Sequence, residues 1–500
     1  MFELIEEEIG NQSITENGAI GYESSKSALV DLNYQVSSLR NSSENQIRIL
    51  FDKAFNENKE YAVKWLFFAR DVREGLGERR LFRICYSRLA DLDIEIFYKN
   101  LNIISEYGRW DDLISLLGIS EVTDKRIITI LNLQIVKDLA NMGENKPISL
   151  LGKWLPSENA SSKKTKSLAK KIRKLMKISP RKYRLLLTKL RSYLDVVEVK
   201  MCGNEWGEID YGKVPSLANL KYKNAFMRHD EDRRIAYLES VRQGKSKMNM
   251  KVATPVDIVS NYTDRYYGIL DYDETLELAW NNLKDVMVSD TLIVADGSGS
   301  MFIEVSGKIK AIDVANALSI YTSEHNSDVY KNKYITFSHR PQFVDLSDCD
   351  SLRDKMIKCR EHNEISNTNI EAVFDLILGI AVKNNVSKEE MISNILIISD
   401  MEFDAAQKSW RYENYNRLTQ PLFEQIKEKY NNAGYDLPKL VFWNVNSRTK
   451  TIPLIENELG VALLSGFSQN VLKMVMSDKY SPYEVLIEMI TSERYDKVRV

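Results

Sequence analysis

Histidine and cysteine are scarce in this chain of 500 residues, with four of each. Cys85, Cys202, Cys349 and Cys359 form no C-x-x-C pair and no zinc-type spacing, which excludes a disulfide framework and a Cys/His metal knuckle. They read as reduced thiols of an intracellular protein. His229, His325, His339 and His362 stand apart, no Ser or Cys sits in a nucleophile motif, and no G-x-x-x-x-G-K-[ST] loop occurs. Nucleophilic hydrolysis and P-loop nucleotide chemistry therefore have no footing. No apolar run approaches the roughly 18 residues of a membrane-spanning helix. The start, MFELIEEEIG, has neither the basic nor the apolar region of a secretory leader, so the expected compartment is the cytoplasm, with the nucleus as the other one open to it. Excess charge of either sign is lacking too, at −2 overall, and a polyanion has to be met by a local patch.

What is present divides along the chain. The length predicts two or three domains, and 44% hydrophobic with 28% charged residues is ordinary globular composition. Residues 1–40, rich in Glu, Ser and Asn, are expected to form a flexible or loosely packed arm. Residues 41–289 carry helical periodicity: Ile47, Leu50, Phe51 and Phe55 make one apolar stripe, and Tyr61, Trp65, Phe68 and Val72 another. This predicts a helical-repeat module of stacked helix pairs. Residues 290–466 alternate strands, near 291–295, 334–337, 395–399, 439–443 and 461–464, with helices over 308–325, 351–360, 370–383 and 417–430, the pattern of a doubly wound, Rossmann-like α/β domain. Residues 467–500 add apolar-periodic helix, expected to pack back on the helical module.

The stretch Thr291 to Ser300 ends a strand in Asp296-Gly-Ser298-Gly-Ser300, a carboxylate and two hydroxyls on one tight loop. Alone, such a loop is more often a plain strand-to-helix turn. Two later stretches change that: Thr368 lies in a polar loop just before the period Ile370, Val373, Phe374, Ile377, and Asp400 closes the strand Asn394 to Ser399. A parallel sheet brings the C-terminal ends of its strands to one edge. Few, all-oxygen ligands suit a hard cation, Mg²⁺ or otherwise Mn²⁺ or Ca²⁺.

In order and strand context, Asp296, Ser298, Ser300, Thr368 and Asp400 resemble the metal-ion-dependent adhesion site (MIDAS) of von Willebrand factor A domains, over about residues 290–466. That resemblance implies hydroxyls on Mg²⁺ directly, aspartates often acting through water, and an acidic group of a partner protein completing the shell. Asp400 is followed by Met401 where that family usually has Gly.

The most unusual stretch is residues 163–191: thirteen basic residues in 29 positions and no Asp or Glu. Leu168, Ile172, Leu175 and Met176, then Leu186, Leu187, Leu190 and Leu194, give two amphipathic helices whose other faces are cationic. Such a block is self-repelling and reads as a polyanion surface. A solvated lysine face is the bland account, and a membrane surface or a calmodulin-type partner fits less well. The candidate RNA-binding residues are Lys163, Lys164, Lys170, Lys171, Arg173, Lys174, Lys177, Arg181, Lys182 and Arg184. Tyr211, Tyr222 and Phe226, near Lys213, Lys221, Lys223 and Arg228, are a second place where bases would stack, although such rings are more often core. His229 beside Asp230 reads as a helix start, and Trp110 as packing.

The segments R-D-V-R-x-G-x-G-E-R at 70–79, E-Y-G-R-W-D-D-L at 106–113, K-W-L-P-S at 153–157, W-x-x-I-D-Y-x-x-V-P-S at 206–216 and A-F-x-x-H-D at 225–230 resemble an uncharacterised family of viruses, fungi and plants. By themselves the first arginines read as a helix hairpin paired with Asp71, Glu74 and Glu78. The layout is similar to that of the Ro autoantigen proteins, in which a TROVE module, a HEAT-like helical ring, precedes a von Willebrand factor A domain. The similarity implies a ribonucleoprotein: small structured RNAs on a basic outer face, and single-stranded ends of misfolded RNA through the ring.

The expectation is therefore a non-catalytic, monomeric RNA-binding scaffold without membrane contact, carrying a Mg²⁺-dependent site for an acidic protein partner. A metal-dependent protein-interaction adaptor without RNA is the alternative. A metal-dependent nuclease comes third, because two carboxylates suit one bound ion better than a two-ion phosphodiesterase centre.

Overall fold

Runs such as Asn394-Ile-Leu-Ile-Ile-Ser399 are apolar on both sides of the chain, and such a strand is stable only where both faces of a sheet are covered. In the computed structural model, which describes residues 10–264, 266, 268–364, 366–405 and 421–500, five such strands lie together. In chain order the strands are β1 (Gln12–Ile14), β2 (Ile20–Tyr22), β3 (Thr291–Asp296), β4 (Glu304–Ser306), β5 (Ile309–Lys310), β6 (Lys333–Phe337), β7 (Gln342–Asp345), β8 (Asn394–Ser399), β9 (Lys439–Asn444) and β10 (Val461–Ser465). The main sheet has the order β10-β9-β8-β3-β6-β7 and is parallel except for β7, which pairs antiparallel to β6. The strand order reverses between β3 and β8, so the C-terminal ends of those two strands form the switch point where open α/β sheets bind ligands. Helix Ala311–Glu324 packs against both strands.

The fold is a helical part together with this doubly wound α/β part. The chain divides into two compact units, one of Met1–Trp65, Glu74–Leu76 and Met250–Arg494, the other of Leu66–Arg73, Gly77–Asn249 and Tyr495–Val500. These bounds differ from those read at 40, 289 and 466. Helix Pro255–Tyr262 has ordinary helical periodicity but packs on Ala311–Glu324 of the α/β unit. Residues 10–40 are not a loose arm. The β1–β2 hairpin exchanges backbone hydrogen bonds between Tyr22 and Ile452, and helix Ala28–Tyr34 packs against β10. Ser37 accepts from the backbone N–H of Gly466 at 2.8 Å, and its own N–H donates to Ser465 Oγ at 2.9 Å. The edge strand β10, whose backbone groups would otherwise seek a partner, is thereby covered. Helix Pro482–Ile490 also packs on β10, so most of the C-terminal stretch belongs to the α/β unit. Only its last six residues join the helical unit, where Tyr495 stacks on Tyr107 with ring centroids 5.6 Å apart and Arg499 exchanges two hydrogen bonds with Asn100. Of the helix expected over 417–430, residues 417–420 lie outside the described set and Leu422–Asn432 is helical.

Among its described residues the helical unit has no strand. Its helices include Arg79–Leu92, Glu121–Gly143, Lys163–Leu175, Pro180–Tyr193, Ser216–His229 and Glu231–Arg242. Ser120, Ser162 and Ser179 each cap a helix by accepting from the backbone N–H three residues on.

Candidate cation site and basic surface

The sheet register decides the first site. Ala295 of β3 pairs with Ile398 of β8, which brings Asp296 alongside Ser399, and Ser399 donates from Oγ to Asp296 Oδ2 at 2.5 Å. The loop after β3 folds back on its own carboxylate: Ser298 N–H donates to Asp296 Oδ1 at 2.9 Å, and Ser298 Oγ lies 3.1 Å from Ser300 Oγ. Gly297 is required here, since a Cβ would sit 2.9 Å from Thr336 Oγ1. Ser300 favours the charged form of the Asp400 carboxylate, and Asp400 in turn acts on Asp296 through its charge. Asp296, Ser298, Ser300 and Asp400 thus form one group, all but Ser300 fully buried. Thr368, also buried, is tied to the group by Asn17, whose Nδ2 donates to Thr368 Oγ1 and to the backbone carbonyl of Glu402.

Two carboxylates in one dry pocket disfavour each other's charge. Burial, and next the Asp400 carboxylate, push the Asp296 carboxyl up to about 7. Burial raises Asp400 as well, with Arg448 acting against it. The pocket pairs two buried carboxylates with hydroxyl oxygens, a donor set that would suit a divalent hard cation, and Asp296, Asp400, Ser298, Ser300 and Thr368 are the residues that would hold it. Among the described residues no three His, Cys, Asp or Glu side chains are grouped to hold a metal. Cation binding at this edge would therefore need the hydroxyls.

Sequence reasoning missed the surrounding residues. Arg448 donates from Nη1 to Asp400 Oδ2 at 2.9 Å and from Nη2 to Glu16 at 2.8 Å. Glu402, fully buried, accepts from the backbone N–H groups of Glu16, Arg448 and Thr449, knitting three loops together. Thr368 N–H donates to Asp404 Oδ2 at 3.1 Å. The alternation Asp400, Glu402, Asp404 is visible in the sequence as a signal; Arg448 and the Glu16–Asn17 turn carry none. Met401, where a glycine was the norm of the resembled family, has φ +63° and a fully buried side chain.

The basic stretch forms two helices, Lys163–Leu175 and Pro180–Tyr193, held by Ala169, Ile172, Met176, Tyr183, Leu187 and Leu190. Leu168, Leu175, Leu186 and Leu194, also expected inside, are only half-buried. Like charges three or four apart cost about 0.2–0.5 kcal/mol a pair, whereas burying each large aliphatic contributes about 1.5–3 kcal/mol, so packing outweighs the repulsion. Of the ten candidate RNA contacts, Lys163, Lys164, Lys170, Lys174, Lys177, Arg181, Lys182 and Arg184 are exposed. None of these eight has an ion-pair partner among the described residues. Lys171 and Arg173 are instead committed within the fold, to Asp124 at 2.8 Å and Glu158 at 2.7 Å. Arg191 likewise donates to the carbonyls of Gly152 and Leu155. Neither helix has an acid in its first turn, where the dipole favours one; Lys163 and Lys164 occupy that place in the first, Arg181 and Lys182 in the second.

The second stacking candidate is mostly core. Tyr211 and Phe226 are buried with Val197, Ile209, Val214 and Ala218, around the buried guanidinium of Arg234. His229 stacks on Trp206 at 4.4 Å. Trp110 is buried, in keeping with packing. Arg70, expected to pair with neighbours in sequence, turns to Asp112, which also takes Arg83 and the backbone N–H of Arg109. The segments at 70–79 and 106–113 therefore meet through the buried Arg70–Asp112 pair.

A family model, the domain of unknown function DUF2828, matches residues 15–132 and 126–290, more than half of the chain. The chain belongs to the DUF2828 family. A second model, the domain of unknown function DUF7788, covers residues 290–497 of this DUF2828 protein. The uncharacterized protein L728 of Acanthamoeba polyphaga mimivirus is 33% identical over 523 aligned positions, spanning 96% of this chain and 88% of the relative. Among solved structures, that of the Deinococcus radiodurans RO (RSR) protein is similar over 90% of this chain and 94% of that one, at 13% identity and a TM-score of 0.45. No helix among the described residues of this DUF2828 protein is long and apolar enough to cross a membrane.

Proposed function

We propose that this protein is a non-catalytic, cytoplasmic RNA-binding scaffold. Its helical unit holds small or misfolded RNA on the cationic faces of helices Lys163–Leu175 and Pro180–Tyr193, and its α/β unit docks an acidic residue of a partner protein through a Mg²⁺ ion. The observation that supports RNA is the set of eight exposed side-chain cations without ion-pair partners among the described residues, seven on two consecutive helices and Lys177 in the turn between them, some in first turns where the helix dipole opposes them. Phosphates of a nucleic acid offset both penalties at once.

The test is purification at low salt, followed by assay for nuclease-sensitive RNA, of the native chain and of a variant with Lys170, Lys174, Arg181 and Arg184 changed to Glu. Lys171 and Arg173 stay, since they hold helices together. RNA on the native chain alone supports the reading. No RNA on either, with added structured and single-stranded RNA also unbound, overturns it and leaves a cation-dependent protein adaptor.

A further inference from the structure

The cation site already holds a positive charge. The Arg448 guanidinium bridges Asp400 Oδ2, at 2.9 Å, and Glu16 Oε2, at 2.8 Å. Asp400 is fully buried and Arg448 is mostly so, while Glu16 is half-exposed at 49%. The bridge is incomplete, because Nε of Arg448 is buried with no hydrogen-bond partner. A guanidinium has five donors and its favoured partner is a carboxylate taken bidentately; here it spends one nitrogen on each of two. Its backbone is fixed independently, by donation of the Arg448 N–H to Glu402. The side chain thus has a fixed root, two carboxylates within reach, and an unsatisfied nitrogen.

We propose that Arg448 is a tethered competitor for the divalent cation. With no ion bound, its guanidinium supplies the positive charge that Asp400 lacks; when an ion binds, Arg448 leaves Asp400 and is held by Glu16 alone. Glu16 is thereby assigned as the residue that receives Arg448, and the pair sets the ion concentration at which the site fills. This rests on the cation reading of the site, and concerns which residues of this chain control its occupancy. Two geometric facts give it direction. The guanidinium contacts Asp400 through one nitrogen, so leaving costs one charged hydrogen bond. Glu16 sits in the same turn as Asn17, which holds Thr368, so the accepting carboxylate is anchored beside the site before the ion arrives.

The experiment is Mn²⁺ titration by isothermal calorimetry of the full chain as wild type, Arg448→Gln and Glu16→Gln, with thermal unfolding of each in EDTA and in Mn²⁺. The expected result is at least tenfold tighter Mn²⁺ binding by Arg448→Gln, a lowered melting temperature of that variant in EDTA that Mn²⁺ restores, and weaker binding by Glu16→Gln. Equal or weaker binding by Arg448→Gln would show that Arg448 orients Asp400 for the ion, and would overturn the proposal. Should Arg448→Gln not fold without ion, Glu16→Gln decides, since Glu16 is half-exposed: unchanged affinity overturns the proposal. Mn²⁺ binding by the wild type with that pattern absent defeats this inference alone, whereas no Mn²⁺ binding by any chain defeats the cation site itself.

Discussion

The side-chain amide of Asn17 reaches Thr368 Oγ1 at 3.2 Å and the carbonyl oxygen of Glu402 at 2.6 Å, joining residues 351 and 385 positions apart in the chain. A candidate metal ligand is thus oriented by the turn between β1 and β2. Groups that orient metal ligands typically affect affinity about 10- to 100-fold. Asn17→Ala is expected to weaken Mn²⁺ binding by at least about tenfold while leaving the circular dichroism spectrum native. Unchanged affinity in a calorimetric titration would remove Asn17 from the site.

The pH dependence follows from Asp296, raised to about 7 chiefly by burial and then by Asp400. Its folded-state value lies above its unfolded one, so its contribution to stability is complete below the unfolded value and is lost as pH rises through about 7. Ion-free protein should therefore melt lower at pH 8 than at pH 6, and added Mg²⁺ should stabilise more at pH 8, because the ion binds the ionised carboxylate. Asp296→Asn should flatten both dependences in scanning calorimetry.

Asp112 is fully buried and compensates the buried Arg70 while also taking Arg83. Removing one partner of such a cluster strands a charge, at about 3–5 kcal/mol. Asp112→Ala is expected to cost at least that in urea unfolding of the helical unit. Lys146→Ala, which breaks the exposed pair with Glu144, should cost less than about 1 kcal/mol.

Met401 sets two effects against each other. Its left-handed backbone at φ +63° costs about 1–3 kcal/mol, but truncating a fully buried methionine loses about 2–5 kcal/mol. Packing wins, so Met401→Gly should destabilise the α/β unit even though glycine suits the backbone. A rise in melting temperature would show that strain dominates.

For RNA, the expectation separates exposed from committed cations. Lys170→Ala and Lys174→Ala should each lower the slope of log affinity against log salt by roughly 0.7–0.9, with stability unchanged. Lys171→Ala, which frees Asp124, should change the slope less and lower the melting temperature. Filter binding across a salt series distinguishes the two classes.

Much of the α/β unit is legible in sequence because its central strands are continuous apolar runs, and the five expected strands lie within a residue of those found. β7 is not legible: Gln342-Phe-Val-Asp345 is a short edge strand with Phe343 exposed. The hairpin at 12–22 is polar and short, and its order comes from partners such as Ile452 and Phe403, far along the chain. Helix Pro255–Tyr262 has a period that names a helix but not the unit it packs on. At the candidate site, Asp296, Ser298, Ser300 and Asp400 are legible because motif and strand ends coincide. Arg448 is not, since its role depends on where a loop after β9 crosses the sheet edge.

The interleaving of the two units also dictates an order of events during synthesis. Gly77–Asn249 is nearly a complete unit on its own and has all but its last six residues soon after residue 249 leaves the ribosome. The β1–β2 hairpin emerges before this middle stretch, yet Thr368, Phe403 and Ile452, which hold it, come well after it. A nascent chain halted near residue 400 should therefore present a folded middle and an unpartnered N-terminal hairpin. Protease would cut that chain first among residues 10–40, the segment that the finished protein pins down through Thr368, Phe403 and Ile452.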